Sequence, residues 1–375
     1  MVYEPVADRP DNEPDDQVGN NVSEGENIVA ETARRILADL ADPQTINRAV
    51  DDTWKAALWT ALTDAGLPLA WVPDQLGGSG ATLADGFAVL GMAGRFAVPV
   101  PLAETLLAGW LLSQGGLSAP DGAMTVAPAR PGDRIRLDPD GTLSGQARGV
   151  PFAREARHLA VLVSGAAGES IALVDAGAAR LTEGHTLAGD ASDDVAFDRA
   201  RPTSVAAAPP GFEQTTLMLM GSAARAVETA GALQTILDLS VRYAGERVAF
   251  ERKIGKFQAV QHNLARLAGE VAAALTAAGS AADTIAQADT FDEAVFLEAA
   301  AAKIRSAEAA EQGAAIAHQV HGAIGFTKEH VLHRFTLRLL SWRDDFGNES
   351  HWAVALGNLV ARRGADELWP LIASR

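Results

Sequence analysis

Along most of this chain apolar residues recur every three or four positions, the period of an amphipathic helix, and that pattern is interrupted once. From Ile28 to about Leu117, Ile36, Leu37 and Leu40, then Trp54, Leu58 and Leu62, mark helices with one buried face. Pro68, Pro73 and the cluster Gly77-Gly78-Ser79-Gly80 punctuate them. Between about Ala119 and Arg201 the pattern becomes strand-like. Arg134-Ile135-Arg136-Leu137 alternates, Asp138-Pro139-Asp140-Gly141 reads as a turn, and HLAVLVS, SIALVDA and DVAFDRA read as short strands. Turn residues at short, regular intervals predict a small antiparallel barrel or sandwich. After Pro209-Pro210 the helical period returns and persists to the end. Thr290 with Glu293 reads as a capping box that opens a helix over Phe291–Gln319. Helices, then strands, then helices predict an α+β, mostly α protein, divided at 27–118, 119–205 and 206–375.

Composition narrows the function classes. The net charge of −17 argues against nucleic acid, because binding phosphates needs a basic face. Residues 1–26 hold eight carboxylates against the single Arg9, with Pro5, Pro10 and Pro14, and read as a disordered acidic tail unable to offset its ordering entropy. No apolar run suits a membrane span or a secretory signal, which points to the cytoplasm. The absence of cysteine excludes disulfides, a thiolate nucleophile and sulfur metal sites. His318 and His321 share their spacing with His330 and His333, but no carboxylate set completes a metal-ligand pattern, so no metal is expected. Trp342, Arg343 and Trp352 read as packing residues of an interface or an acyl pocket.

Two segments carry chemistry. The first runs from Glu246 through Arg247, Phe250 and Gly255 to Gln258 and His262. The second runs from Gln319 through Gly322 and Gly325 to Phe326 and His330. Each joins charged or amide side chains to glycines or an aromatic wedge. Phosphate groups are bound by fixed positive charge or backbone N–H donors, and glycine lets a ligand approach bare main chain.

Together these segments closely resemble the two dinucleotide-contacting segments of the C-terminal domain of acyl-CoA dehydrogenases. AGLPLAWVPDQLGGSGATLAD and GRFAVPVPLAETLLAG are similar to that family's N-terminal helical domain, so the resemblance spans about residues 28–360. It implies the acyl-CoA dehydrogenase fold: an N-terminal helical domain, a middle β-barrel and a C-terminal four-helix bundle. It also implies FAD, bound by Arg247 at the pyrophosphate of a neighbouring subunit, with Phe250, Gln258, Gln319, Gly322 and Gly325 in the family's other contact positions.

The chain departs from the family where catalysis is expected. Abstracting a proton alpha to a thioester needs a base, and most members place a glutamate before a glycine, 21 residues past the last glycine of the turn. From Gly325 that count reaches Phe346, followed by Gly347. The site used by a minority of members falls at Gly221, beside Ser222. Asp344, Asp345 and Glu349 lie close enough to serve only in a shifted register. The family's Thr-Glu-Pro-x-x-Gly-Ser-Asp segment is not recognisable within 119–133, and Gly149 and Pro151 stand where the family has a flavin-edge Trp and Thr. Proline there removes a hydroxyl and an N–H donor.

The resemblance with these departures implies a base-deficient subunit of an α2β2 acyl-CoA dehydrogenase of the steroid side-chain type. A second dehydrogenase subunit would supply the base, acyl-CoA would be the substrate, and an electron-transfer flavoprotein or similar protein would accept electrons. Two alternatives stand beside it: an autonomous homotetramer using Asp344, Asp345 or Glu349, and a non-catalytic scaffold subunit.

Overall fold

The computed structural model describes residues 27–373. The acidic tail expected at 1–26 lies outside the described residues. The first region is helical: α1 (Ile28–Leu40), α2 (Pro43–Ile46), α3 (Trp54–Asp64), α4 (Leu83–Phe96) and α5 (Leu102–Gln114). Polar side chains cap the starts of α1, α2 and α4. Asn27 accepts from Val29 and Ala30 N–H at α1, and Thr82 and Asp85 form both bonds of a capping box at α4.

Eight strands follow: β1 (Met124–Ala127), β2 (Arg134–Leu137), β3 (Leu143–Pro151), β4 (His158–Gly165), β5 (Gly168–Asp175), β6 (Arg180–Thr182), β7 (Ser192–Ala200) and β8 (Ser204–Ala207). They form one sheet in the order β6-β7-β3-β2-β4-β5-β8, with β1 on β4. The predicted turn is present, with Gly141 N–H bonded to Asp138 C=O at 2.9 Å between β2 and β3. The sheet is mixed rather than wholly antiparallel, because β1 and β2 both run parallel to β4. The chain passes from β3 to β4 without a hairpin, which leaves β4 beside strands of its own direction. Ile135, Leu143, Val150, Val161, Val195 and Phe197 fill a core belonging to this region.

The third region holds the long helix α6 (Gln214–Glu246), a short hairpin of β9 (Val248–Ala249) and β10 (Arg252–Lys253), and the long helices α7 (Gln258–Gln287) and α8 (Glu293–His321). Then come α9 (Leu332–Trp342), α10 (Glu349–Arg363) and α11 (Leu368–Ala373). The helices α6, α7 and α8 pack on one another, with α9 against α6 and α8 and α10 against α8. Alanine lets them approach closely without a large propensity cost: α8 buries Ala299, Ala300, Ala302, Ala309 and Ala310. Where α4 crosses α6, a methyl group on Gly94 would overlap the Glu228 carbonyl, so only glycine fits. The cap of α8 lies two residues beyond Thr290. The Asp292 carboxylate accepts from Ala294 N–H at 2.8 Å and Val295 N–H at 3.2 Å, whereas the Thr290 carbonyl accepts Asp292 N–H in the preceding turn. Among the described residues, no helix is long and apolar enough to cross a membrane.

Candidate functional site

The two motif segments meet at one end of the helical bundle. Tyr243, in the last turn of α6, stacks on His321, the last residue of α8, with ring centroids 4.5 Å apart. His330 lies 4.7 Å from His321 and 6.2 Å from Tyr243. This aromatic stack ties the helix leading into the first motif to the glycine turn of the second. The histidine spacing seen in the sequence therefore accompanies stacking, and among the described residues no group of three or more ligating side chains could hold a metal.

Arg247 follows directly, with its N–H bonded to the Tyr243 carbonyl at 2.8 Å and its side chain exposed. The hairpin turns on Phe250 and Glu251, both at positive φ (50° and 66°), and Phe250 is 90% exposed. Gln258 opens α7 and Gln319 lies in the last turn of α8, both exposed. Among the described residues, the side chains of Arg247, Gln258 and Gln319 have no hydrogen-bond partner. Gly322 caps α8 at φ 64°, where a Cβ would meet nothing within 4 Å, so its main chain faces open space. Gly325 is buried against His321 and Leu332.

The two positions expected for a base pack against each other. Phe346 is fully buried in the left-handed region (φ 56°), and a methyl group on Gly221 would overlap its ring. The Phe346 N–H donates to the Ala129 carbonyl at 3.0 Å. Its carbonyl accepts from Ser222 Oγ at 3.0 Å and from Trp352 Nε1 at 3.1 Å. Both sequence positions at which a base could stand are thus one packed contact.

The neighbouring carboxylates are engaged elsewhere. Asp345 accepts from Arg225 Nε at 2.9 Å, and Arg225 also pairs with Glu228 at 2.6 Å and with Glu104. Burial raises the pKa of Glu104 against the pull of Arg225, and raises that of Glu228 to about 7. Burial also lowers the pKa of Lys303, whose Nζ donates to the Trp342 carbonyl at 2.6 Å, to about 8. Glu349 pairs with Arg343; partial burial would raise its pKa, but the Arg343 bond and charge outweigh this and lower it. Asp344 is exposed. The Arg225 cluster was not singled out from the sequence. Its signal is there: Arg225 and Glu104 are charged residues inside apolar helical runs, a pattern that burial permits only in partnership.

In the sheet, Gly149 is buried at φ 57°, and a Cβ there would fall 2.6 Å from the end of the exposed Arg130 side chain. Pro151 pairs with Ser192 at the end of β3, and its carbonyl accepts from Thr125 Oγ1 at 2.7 Å. A cleft of about 880 Å³ does open between the sheet and the bundle, with Phe212, Met218, Phe296 and Trp352 on its walls. Neither Phe346 nor Gly221 lines it. A dinucleotide therefore fits this chain in one respect only. The Arg247 surface offers unpartnered donors and open main chain, whereas Gly149 and Pro151 offer the ring neither an aromatic platform nor a hydroxyl.

Known proteins with this architecture converge on one class, that of the acyl-CoA dehydrogenases. Residues 211–344 match the family described as acyl-CoA dehydrogenase, C-terminal domain. Acyl-CoA dehydrogenase IpdE2 of Mycobacterium tuberculosis is 28% identical over 314 residues, covering 83% of this chain and 89% of the relative. The ChsE4-ChsE5 complex from Mycobacterium tuberculosis shares the fold, with a TM-score of 0.80 at 24% identity over 92% of this chain and 99% of that one. A Tcur3481-Tcur3483 steroid acyl-CoA dehydrogenase variant gives a TM-score of 0.77 at 28% identity, over 89% of this chain and 97% of that one. Residues 211–344 belong to the acyl-CoA dehydrogenase C-terminal domain family, and the chain is similar to acyl-CoA dehydrogenases over most of its length.

Proposed function

We propose that this chain is the base-deficient subunit of a hetero-oligomeric acyl-CoA dehydrogenase and completes the FAD site of a partner subunit. The observation that carries this reading is Phe346 packed on Gly221, which leaves neither position able to take a proton from carbon. FAD, when bound, supplies the hydride acceptor for alpha,beta-dehydrogenation. Arg247 holds the pyrophosphate by charge-assisted hydrogen bonds, and Gln258 and Gln319 hydrogen-bond the rest of the dinucleotide. Phe250 packs against it, and the open main chain at Gly322 approaches it closely, with the buried Gly325 supporting that turn.

A second acyl-CoA dehydrogenase subunit, in an α2β2 assembly, contributes the glutamate base, the ring contacts and the thioester cleft. The paired chains named in the ChsE4-ChsE5 and Tcur3481-Tcur3483 structures support such an assembly, and the latter's steroid description supports a bulky acyl-CoA substrate. An electron-transfer flavoprotein or similar protein then takes the electrons.

Flavin stoichiometry tests this. Expressed alone, the chain should be flavin-poor, because Gly149 and Pro151 offer the ring neither an aromatic platform nor a hydroxyl. Co-expressed with a complementary subunit, it should give a yellow complex with fewer FAD than subunits. A lone preparation with one tightly bound FAD per chain and turnover on an acyl-CoA would overturn the reading.

A further inference from the structure

A second cleft, of about 410 Å³, opens where the three regions of the chain meet. One wall carries Arg334 and Arg338 of α9, with Lys328 from the turn before that helix. Arg338 is 4% exposed; it donates to the Arg334 carbonyl at 3.1 Å and to the Asp190 carboxylate at 2.7 Å, and its Nε is buried without a partner. The Arg334 side chain forms no hydrogen bond or ion pair among the described residues, and its Nε is likewise buried and unsatisfied. Burial and the neighbouring Arg338 charge pull the Arg334 pKa down to about 10, although Asp190 and Asp52 act the other way.

Two like charges four residues apart weaken a helix. Arg334 lies in the first turn of α9, the positive end of its dipole, with Arg338 one turn further on, and no acidic residue occupies the first turn. The carboxylates on the other walls are engaged. Asp190 pairs with Arg338, Asp52 pairs with Lys55 at 2.8 Å, and Asp51 binds the N–H and hydroxyl of Thr53. Glu155 also lines the cleft; burial raises its pKa against the attraction of Lys55. A shielded guanidinium without a counter-ion is costly, and the group that would satisfy it has defined chemistry. It is a compact oxyanion with acceptors on several sides, matching the planar fork of arginine.

We infer that this cleft binds an oxyanion of the phosphate class, with Arg334 as its principal ligand and Lys328 at its rim. None of the six residues of the Arg247 surface lines the cleft, and the inference does not rest on the proposed function.

Isothermal titration calorimetry of the full-length chain tests it, using inorganic phosphate and ADP at fixed ionic strength, beside the Arg334→Gln and Arg136→Gln variants. Arg136 is an exposed arginine of β2 outside the cleft, so its variant controls for net charge. Wild type should bind one phosphate per chain saturably, and Arg334→Gln should weaken this at least ~10-fold, the scale of a lost charge-assisted bond. Arg136→Gln should bind as wild type. In phosphate-free buffer Arg334→Gln should melt no lower than wild type, since it relieves like-charge repulsion; loss of binding is then not loss of fold. Tighter binding of ADP than of phosphate identifies a nucleotide as the source, and equal or weaker binding identifies free phosphate. No saturable binding of either anion overturns the inference, as does undiminished binding by Arg334→Gln or equal weakening by Arg136→Gln.

Discussion

The ring of Phe346 lies on the backbone of Gly221, in the volume that any side chain at residue 221 would need. The pair joins the turn after α9 to the N-terminal part of the core helix α6, and Ser222 and Trp352 both donate to the Phe346 carbonyl. Such a contact makes the base position part of the hydrophobic core. Core positions respond to volume in both directions, and that is measurable.

Gly221→Ala should destabilise the folded chain by about 1–3 kcal/mol through overpacking. Phe346→Ala should cost about 3–5 kcal/mol by leaving a cavity. Urea denaturation of the two variants would report both. Near-neutral values for both would show that the ring is not packed as described.

Much of this arrangement was legible in the sequence, for reasons that differ by residue. Helical and strand periods gave the order of helices, strands and helices because most elements bury one face. Counting from Gly325 reached Phe346, and counting back from Arg247 reached Gly221, because no gap separates these positions from their motifs. That the two touch was not legible, since each count concerns one strand of chain and contact is a property of the fold. The Arg225 cluster stayed hidden for the same reason: Glu104 and Asp345 come from distant segments, and only their apolar surroundings signal them. The cap of α8 moved to Asp292 because a local pattern offered two acceptors and the helix used the nearer one. The parallel pairing of β4 with β1 and β2 depends on how the chain crosses the sheet, which turn residues do not encode.

The hairpin between α6 and α7 carries backbone strain at Phe250 and Glu251. A non-glycine residue in the left-handed region costs roughly 1–2 kcal/mol. Glu251→Gly should therefore raise stability slightly, by up to about 1 kcal/mol after the added unfolded-state entropy of glycine is counted. Thermal unfolding of the isolated chain would show the gain. A clear loss would mean that the glutamate side chain makes a compensating contact.

Arg247→Ala should weaken FAD retention in the assembled complex. The lost interaction is a hydrogen bond to a charged group, worth about 1.5–3 kcal/mol, so flavin affinity should fall roughly ten- to a hundredfold. Fluorescence titration of apo-complex with FAD measures this directly. Unchanged affinity would remove Arg247 from the dinucleotide site.

The carboxylates beside Phe346 can be neutralised together. Asp344→Asn, Asp345→Asn and Glu349→Gln preserve shape, and an amide oxygen can still accept from Arg225 and Arg343. If the partner supplies the base, the combined variant should keep most of its turnover per bound flavin when assembled. A base replaced by its amide loses about 10²–10⁴-fold in rate. Dye reduction with a CoA ester, normalised to flavin content, separates the outcomes, and a loss of that size would place the base in this chain.

The buried cluster also predicts how stability depends on pH. Burial raises the Glu228 pKa from 4.5 to about 7; Arg225 opposes the shift and Glu104 adds to it. The folded chain then holds a proton that the unfolded chain releases. This contribution is complete below about pH 4.5 and is lost as pH rises through about 7. Across that window one such proton gives a slope of up to about 1.4 kcal/mol per pH unit, with stability falling as pH rises. His318, His321 and His330 are shifted down by burial and act in the opposite sense, stabilising as pH rises. Their effect is common to wild type and variant. Glu228→Gln removes the titrating proton while keeping an acceptor for Arg225. The difference between wild-type and Glu228→Gln stability, followed by urea denaturation across the window, should therefore shift against wild type as pH rises. Parallel curves would show that the proton is held elsewhere in the cluster, with Glu104 as the remaining buried acid.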